Sequence, residues 1–174
     1  MRNSLSKLLV YYYPVAGRLS LTKSGRMEVD CNAKGVILLE AKSTKILGDY
    51  GDFSPSESTE ELVPKVDYTQ SVEEIPLLLL QLTRFHGGEG LAIGVVISHP
   101  LTDATGLTPF VNLWAKLTRG ETLEPNKIPF LDRTLLKLPS SPSVNLPEWK
   151  LAPKIPGKEQ KNRSATLLKL TSNQ

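Results

Sequence analysis

The chain has 174 residues, of which 40% are hydrophobic and 22% are charged, and its formal net charge is +3. These values are typical of one globular domain and argue against an intrinsically disordered chain. The longest apolar runs, IPLLLL and LAIGVVI, are far shorter than the roughly 18 residues of a membrane span, so no membrane partner is expected. Cys31 is the single cysteine, which excludes an internal disulfide and a multi-cysteine metal site and indicates a reducing compartment such as the cytosol.

The first part of the chain predicts a helix followed by short strands. Apolar residues recur at helical spacing from Leu5 to Tyr12, with Ser4 as the expected cap and Pro14 as the stop. The runs GRLSLT, MEVDC and GVILLEA follow and are separated by turn-forming sequences. They predict short antiparallel strands in one small sheet.

The middle of the chain predicts a loop and then a hairpin. Residues 48–64 are acidic and rich in Ser, Pro and Gly, which indicates a surface loop with a short helix around Glu60. The runs PLLLLQLTRF and LAIGVVISH then flank HGGEG, whose glycines supply the positive φ of a tight turn. Both runs are apolar throughout, so we expect two neighbouring strands that are buried on both faces.

A second amphipathic helix follows the hairpin. Pro109 fits this helix only in its first turn, which places the start near Thr105 or Thr108, and Gly120 is the expected end. One face should pack on the sheet. Its apolar residues are Leu107, Phe110, Val111, Trp114 and Leu117.

The pattern changes after Gly120. Seven of the thirteen prolines fall there among scattered lysines, which favours a solvated linker over a basic nucleic-acid-binding tail. The run RSATLLKLT, which begins at Arg163, predicts one more strand. We therefore divide the chain into a first domain, residues 1–120, and a crossover linker with the start of a second domain, residues 121–174. The mixture of helices and strands predicts the α/β class.

The run ISHPLTDATG joins the hairpin to the second helix and holds the candidate functional residues. His99 closes the strand-like stretch, and an imidazole with an unperturbed pKa near ~6.5 can accept a proton from a hydroxyl or an amine. Asp103 could bond that imidazole, cap the following helix or pair with an arginine. The sequence leaves all three roles open.

Other chemistries fit the sequence less well. Ser98, His99 and Asp103 contain the residue types of a hydrolase triad, but neighbouring strand residues point to opposite faces, so Ser98 should face away from the imidazole. His86 lies in the hairpin turn and is interpreted as a solvated loop residue. Two histidines and one cysteine provide no zinc-binding spacing, so no metal is expected. Arg18 is interpreted as structural, with an exposed surface charge as the alternative.

Three longer runs occur in the order LSKLLVYYYPVAGRL, LVPKVDYTQSVEEIPLLLLQLTRF and GVVISHPLTDATGLTPFVNLWAKLTRGE. In that order they resemble the plant BAHD acyl-CoA transferases. The stretch PFLDRTLLK is similar to the hydroxycinnamoyl and spermidine hydroxycinnamoyl transferase branch. The resemblance covers most of residues 5–137. It implies the α/β, two-layer chloramphenicol acetyltransferase-like fold, of which this chain would be mostly the N-terminal half.

The resemblance also implies roles for individual residues. His99 corresponds to the general base of the family's His-x-x-x-Asp motif, which deprotonates an alcohol or an amine for attack on an acyl-CoA thioester. Asp103 corresponds to the second member of the motif, with a structural or orienting role through an arginine pair. Tyr13 is implied to line the acyl pocket. Ala104 departs from the pattern, because the family usually carries Gly there.

The function that the resemblance implies is transfer of a hydroxycinnamoyl or similar acyl group from acyl-CoA, as co-substrate, to a small alcohol or amine in the cytosol, without a bound cofactor. The acceptor and the choice between O- and N-acylation stay open. Family members are more than twice as long, form monomers and carry an Asp-Phe-Gly-Trp-Gly motif that these 174 residues lack. We therefore expect a truncated chain that self-associates. The alternative function is a non-catalytic binding or interaction module, or an inactive fragment.

Overall fold

The computed structural model describes residues 1–132 except 24 and 89, together with residue 135. Backbone contacts divide the chain into two compact units, Met1–Pro129 and Phe130–Gln174. The first unit contains the helices and strands described below, and almost all of the second lies outside the described residues. The expected strand from Arg163 also lies outside them, and the division of the chain at residue 120 stays a prediction.

The first unit contains helices and strands in a mixed order, as the α/β prediction requires. Short 3-10 turns lie at Tyr13–Ala16, Leu47–Tyr50, His86–Gly88 and Pro125–Lys127. The α-helices and β-strands are, in chain order, α1 (Arg2–Tyr11), β1 (Arg18–Leu21), β2 (Met27–Asp30), β3 (Ile37–Lys42), α2 (Glu57–Glu60), β4 (Leu78–Arg84), β5 (Leu91–Ile97) and α3 (Ala104–Thr118).

Helix α1 begins earlier than the sequence predicts, with Met1 at the N-cap position. Ser4 therefore lies inside the helix, so the prediction that it caps the helix is wrong. Its hydroxyl donates to the Met1 carbonyl at 2.7 Å and shares a hydrogen bond with the Thr118 hydroxyl at 2.8 Å, which ties α1 to α3. The helix ends at Tyr11, and Pro14 stands in the 3-10 turn that follows, as expected of a residue that stops a helix.

Strands β3, β4 and β5 form one mixed sheet, and β1 and β2 form a separate antiparallel pair. In the mixed sheet β3 runs parallel to β4, with Ile37 opposite Leu79, whereas β5 is antiparallel to β4. The prediction of one antiparallel sheet from the first three strands is therefore wrong for β3. The long segment between β3 and β4, which includes α2, provides the connection that a parallel pair needs.

The β4–β5 hairpin forms as predicted, but only β4 is buried on both faces. Six of the seven β4 residues are buried, whereas Leu91 and Ile93 on β5 are exposed. The reason is sheet order, because β4 lies between two strands and β5 lies at the edge of the sheet in the described residues. Gly87 and Gly88, with φ of 78° and 76°, reverse the chain as the HGGEG pattern predicts.

Helices α1 and α3 pack on one face of the mixed sheet. Tyr12, just after α1, meets Phe110 of α3 edge to face, with the ring centroids 5.1 Å apart, and the Trp114 indole donates to the Met1 carbonyl at 3.2 Å. Full burial of an apolar side chain contributes about 1.5–3 kcal/mol, so this layer holds α3 firmly on the sheet. The buried core consists of Leu5, Leu8, Val15, Leu78, Leu80, Leu82, Phe110, Leu113 and Trp114.

The segment from residue 47 to residue 64 covers part of the opposite face. The short helix expected around Glu60 is present as α2. The surface position expected for the whole segment is wrong for Tyr50 and Leu62, which are buried, and Gln81 of β4 donates to the Glu61 carbonyl at 2.7 Å. The small apolar cluster under this segment consists of Tyr50, Leu62 and Phe85.

Helix α3 begins at Ala104, close to the earlier of the two predicted starts, and Gly120 follows its end with φ of 84°. Pro109 lies beyond the first turn, so its predicted position is wrong. Because proline has no backbone N–H, the Thr105 carbonyl lacks its usual helical donor. The predicted apolar face is confirmed, since Phe110 and Trp114 are buried against the sheet.

Candidate active site

His99 lies in the turn that connects β5 to α3. The strand ends at Ile97, two residues before the imidazole, so His99 belongs to the turn and not to the strand. The Leu101 N–H donates to the Ser98 carbonyl at 3.0 Å and closes this turn, and the Ser98 N–H donates to the Leu77 carbonyl at 2.8 Å. Sheet hydrogen bonding therefore extends to the residue before His99. The His99 side chain is exposed and accessible to a second molecule.

Asp103 is the N-cap of α3. Its Oδ1 accepts a hydrogen bond from the Gly106 N–H at 3.1 Å, and its carbonyl accepts one from the Leu107 N–H at 3.0 Å. A capping carboxylate satisfies a free N–H of the first turn and interacts favourably with the helix dipole. Of the three roles that the sequence leaves open for Asp103, the structure shows the helix cap.

The other two roles of Asp103 are not found in the described part of the chain. Within residues 1–132 as described, Asp103 neither bonds the His99 imidazole nor forms an ion pair with an arginine. Arg133 and Arg163 lie outside the described residues. The arginine partner that the resemblance implies therefore stays a prediction.

Ala104 is accommodated without backbone strain. The described non-glycine residues with positive φ are Ala33 and Phe53, so Ala104 does not need glycine's conformational freedom. At Gly106 a Cβ would collide with the Thr102 hydroxyl, so a larger residue there requires the Thr102 side chain to rotate away. Sequence reasoning missed Gly106, since nothing in the pattern TDATG distinguishes this close approach from ordinary helix glycine.

Tyr13 is 51% exposed in the 3-10 turn after α1. Its neighbour Tyr12 turns inward against Phe110, so the two tyrosines serve different surfaces. The described contacts do not bring Tyr13 and His99 together. The expected role of Tyr13 in an acyl pocket therefore stays a prediction.

Arg18 is a buried structural cation. Its Nη1 donates to the Gly17 and Gly35 carbonyls, both at 2.8 Å, and its Nε donates to the Glu74 carbonyl at 3.2 Å. Burial lowers the pKa of the guanidinium, and the negative charge of Glu74 opposes that change. The structural interpretation of Arg18 agrees with these contacts, whereas an exposed surface charge does not.

The remaining titratable groups suggest no second centre in the described part of the chain. His86 is exposed in the hairpin turn, and Cys31 is exposed with a free thiol. No group of three or more His, Cys, Asp or Glu side chains that could hold a metal ion occurs among the described residues. The helices found there are also too short or too polar to cross a membrane.

Comparison with known proteins identifies the family of the chain. A model described as "Transferase family" matches residues 1–173, and curated hydroxycinnamoyltransferases match most of the chain. The chain belongs to the BAHD transferase family. The family resemblance carried by the three sequence runs is thereby confirmed.

Two curated relatives illustrate the match. The chain is 48% identical over 136 residues to the hydroxycinnamoyl-CoA:piscidic acid hydroxycinnamoyltransferase of Actaea racemosa. This match covers 77% of this chain and 29% of the relative. It is 39% identical over 153 residues to the shikimate O-hydroxycinnamoyltransferase of Nicotiana tabacum, with 88% of this chain and 34% of the relative covered. The chain therefore spans about a third of the length of the curated BAHD relatives that it matches.

Solved structures show the same fold. Vinorine synthase is 33% identical with a TM-score of 0.61, and the match covers 75% of this chain and 31% of that protein. TRI101 of F. sporotrichioides, in a complex with coenzyme A and T-2, has a TM-score of 0.51 at 21% identity, with 73% of this chain and 33% of that protein covered, which shows the fold alone. The predicted chloramphenicol acetyltransferase-like fold is confirmed.

Proposed function

We propose that this BAHD chain provides the general base for transfer of a hydroxycinnamoyl or similar acyl group from acyl-CoA to a small alcohol or amine. The observation that carries the proposal is the position of His99, exposed in a short turn between two well-held elements. The Ser98 N–H bonds the sheet on one side of the turn, and the Asp103 carboxylate caps α3 on the other. A base held this way can meet a bound acceptor without reorganisation of the backbone.

The names of the relatives support the donor class. The enzymes from Actaea racemosa and Nicotiana tabacum are both named for hydroxycinnamoyl transfer, and an Avena sativa relative that is 40% identical is named for N-hydroxycinnamoyl transfer to 5-hydroxyanthranilate. These names include both O- and N-acylation. An alcohol and an amine are therefore both retained as acceptor classes.

In the proposed reaction, an imidazole nitrogen of His99 accepts the proton of the acceptor O–H or N–H. The acceptor atom forms a bond to the thioester carbonyl carbon, whose C=O electron pair moves onto the oxygen. Collapse of this tetrahedral intermediate breaks the C–S bond and releases the CoA thiolate. The imidazolium returns its proton to the thiolate, so the base is regenerated and no acyl-enzyme forms.

Asp103 has a positioning role in this proposal. Its cap fixes the first turn of α3, and the turn that carries His99 leads directly into that cap. Tyr13, exposed after α1, is proposed to contact the acyl group. We place the reaction in the cytosol, because Cys31 is a free thiol and a reducing compartment keeps such thiols reduced.

The alternative is a non-catalytic binding or interaction module, which the short span relative to the family keeps in consideration. The exposure of His99 and the intact cap at Asp103 favour the enzyme. A binding module needs neither a free imidazole nor an ordered helix start beside it.

The test is acyl transfer from a hydroxycinnamoyl-CoA to a panel of hydroxy acids, aromatic amines and polyamines, followed by release of CoA thiol. Because the chain spans about a third of its relatives, the assay uses the chain alone and a chimera in which it replaces the matched segment of the tobacco enzyme. We expect the chimera to transfer the acyl group. A folded chimera that binds the donor but acylates none of the acceptors would disprove the proposal.

A further inference from the structure

The turn that carries His99 is anchored at both of its ends. The Ser98 N–H donates to the Leu77 carbonyl at 2.8 Å, and the Leu101 N–H donates to the Ser98 carbonyl at 3.0 Å. The Leu101 side chain packs against the core between the helices and the mixed sheet. The bond from Leu101 to Ser98 places His99 and Pro100 at the two central positions of a four-residue turn. These two residues are exposed, whereas Ser98 and Leu101 are partly buried.

The residues that follow the turn are also anchored. The Thr102 side chain occupies the space in which a Cβ at Gly106 would stand, so it packs directly on the first turn of α3. Its hydroxyl donates to the Asp103 carbonyl at 3.4 Å, and the Asp103 carboxylate accepts the Gly106 N–H at 3.1 Å. Two consecutive side chains therefore hold the chain where it enters α3. The backbone freedom that is left to this connection lies at the two central residues of the turn.

Pro100 restricts that freedom. Its ring fixes its own φ at ~−65°, and the ring Cδ limits the backbone of His99 by crowding the N–H and the Cβ of the preceding residue. A narrower range of backbone angles at His99 means a narrower range of directions for its Cα–Cβ bond, which carries the imidazole. The Asp103 carboxylate does not supply this restraint in the described part of the chain, because it bonds the Gly106 N–H in the helix cap.

We propose that Pro100 is a positioning residue for His99, which holds the imidazole in one direction before the substrates bind. This inference rests on the proposed role of His99 as the general base. A base that is already in place loses less conformational entropy on reaching the transition state. The Pro100 side chain carries no group that can donate or accept a proton, so it acts only through the backbone of His99. Its effect should therefore appear in the rate of the chemical step and not in the binding of the substrates.

The first experiment compares Pro100→Ala with its parent in the active chimera. We expect kcat to fall about 5- to 10-fold with unchanged KM for acyl-CoA and acceptor, because the freed backbone of one residue has entropy of that order to lose. The matched control is Pro55→Ala, at an exposed proline in the loop before α2. Both substitutions loosen the unfolded chain in the same way, so they should lower the melting temperature similarly. Pro55→Ala should leave kcat unchanged.

The outcomes of this comparison separate the inference from the proposed function. If His99→Ala abolishes transfer but Pro100→Ala keeps the kcat of the parent, or changes only KM, the positioning role of Pro100 is wrong and the base assignment stands. If His99→Ala keeps full activity, the base assignment itself is wrong. Equal losses of kcat in Pro100→Ala and Pro55→Ala would also overturn the inference, because they would show a general effect of proline removal.

The second experiment measures the motion of the turn without an activity assay. The chain has two histidines, His86 and His99, so isotope labelling of histidine gives two backbone amide signals in an NMR spectrum of the 174-residue chain. In the parent, the His99 amide should have an order parameter of about 0.85, as a rigid backbone does. A value below about 0.6 in the parent would overturn the proposal without any substitution. The order parameter of His99 should fall in Pro100→Ala and not in Pro55→Ala, with His86 unchanged as the internal reference.

Discussion

Arg18 and His99 are two basic side chains with opposite surroundings. Arg18 is 7% exposed and donates hydrogen bonds to the carbonyls of Gly17, Gly35 and Glu74. His99 is exposed and forms no side-chain hydrogen bond with another described residue. A buried guanidinium that donates to three carbonyls holds backbone segments together, whereas an exposed imidazole can exchange a proton with a second molecule. The difference separates the contribution of Arg18 to stability from the proposed contribution of His99 to chemistry.

The largest expected effect is at His99. In the active chimera, His99→Ala should lower the rate of acyl transfer at least ~100-fold, the usual contribution of a positioned base. The melting temperature should not change, because the side chain is exposed. The matched control is His86→Ala, since His86 is also exposed but lies in the hairpin turn. Acyl transfer within a few-fold of the parent would show that His99 is not the base.

Substitution of Arg18 should reduce stability, in contrast to His99→Ala. Arg18→Met leaves three backbone carbonyls without their donor, so we expect the free energy of unfolding to fall by about 2–4 kcal/mol. The free energy of unfolding of Arg18→Lys should lie between those of the parent and of Arg18→Met, because an ammonium cannot reproduce the planar arrangement of guanidinium donors. Urea unfolding of the 174-residue chain measures both. The control is Arg119→Met, whose exposed pair with Glu121 should contribute nothing measurable.

Substitutions at Asp103 test whether its carboxylate supports acyl transfer by capping α3. Asp103→Ala should lower the free energy of unfolding by about 1 kcal/mol, the usual cost of removing an N-cap side chain. Asp103→Asn should change it little, because the amide oxygen can accept the same hydrogen bond from Gly106. Thermal unfolding and acyl transfer are measured together on both variants. If Asp103→Asn keeps its melting temperature but abolishes transfer, the negative charge acts on His99 directly.

The smallest expected effect is a pH dependence beside Arg18. The Lys34 Nζ donates to the Glu74 Oε1 at 2.7 Å. This hydrogen bond and the positive charge of Lys34 hold the pKa of the Glu74 carboxyl below its usual value, and the charge of Arg18 lowers it further. A pKa lowered in the folded state stabilises the protein above the unfolded value of ~4.3, and this stabilisation is lost as the pH falls through the folded pKa. Glu74→Gln should therefore lower the urea midpoint slightly at neutral pH and not at about pH 3. An equal difference in urea midpoint between the parent and Glu74→Gln at both pH values would show that the Glu74 charge does not stabilise the fold.

Local pattern was sufficient for the elements around the candidate site. The periodicity from Leu107 to Leu117 predicted the buried face of α3, and HGGEG predicted the β4–β5 turn, where Gly87 and Gly88 have positive φ. Both signals depend on residues close together in the chain. The same reasoning misplaced Pro109 relative to the first helical turn, since packing of the apolar face stabilises α3 enough to lose one backbone hydrogen bond.

Periodicity and composition did not predict which strands pair with each other. β3 looked like a third strand of the early antiparallel set, yet it pairs in parallel with β4, far along the chain. β5 looked as buried as β4, because both are apolar runs, yet sheet order leaves it at the edge in the described residues. Apolar content predicts that a strand lies in a sheet, but its neighbours determine how much of it is covered.

The sequence by itself determined the family, the helices and hairpin, and the placement of His99 and Asp103 between a strand and a helix, because these follow from motif order and short-range periodicity. Only the tertiary structure decided that Asp103 caps α3, that Arg18 donates to three backbone carbonyls and that β5 lies at the edge of the sheet in the described residues. Arg18 bonds carbonyls 17 and 56 positions away along the chain. Partners at such separations leave no local pattern, because they meet only when helices and sheet pack around a common core.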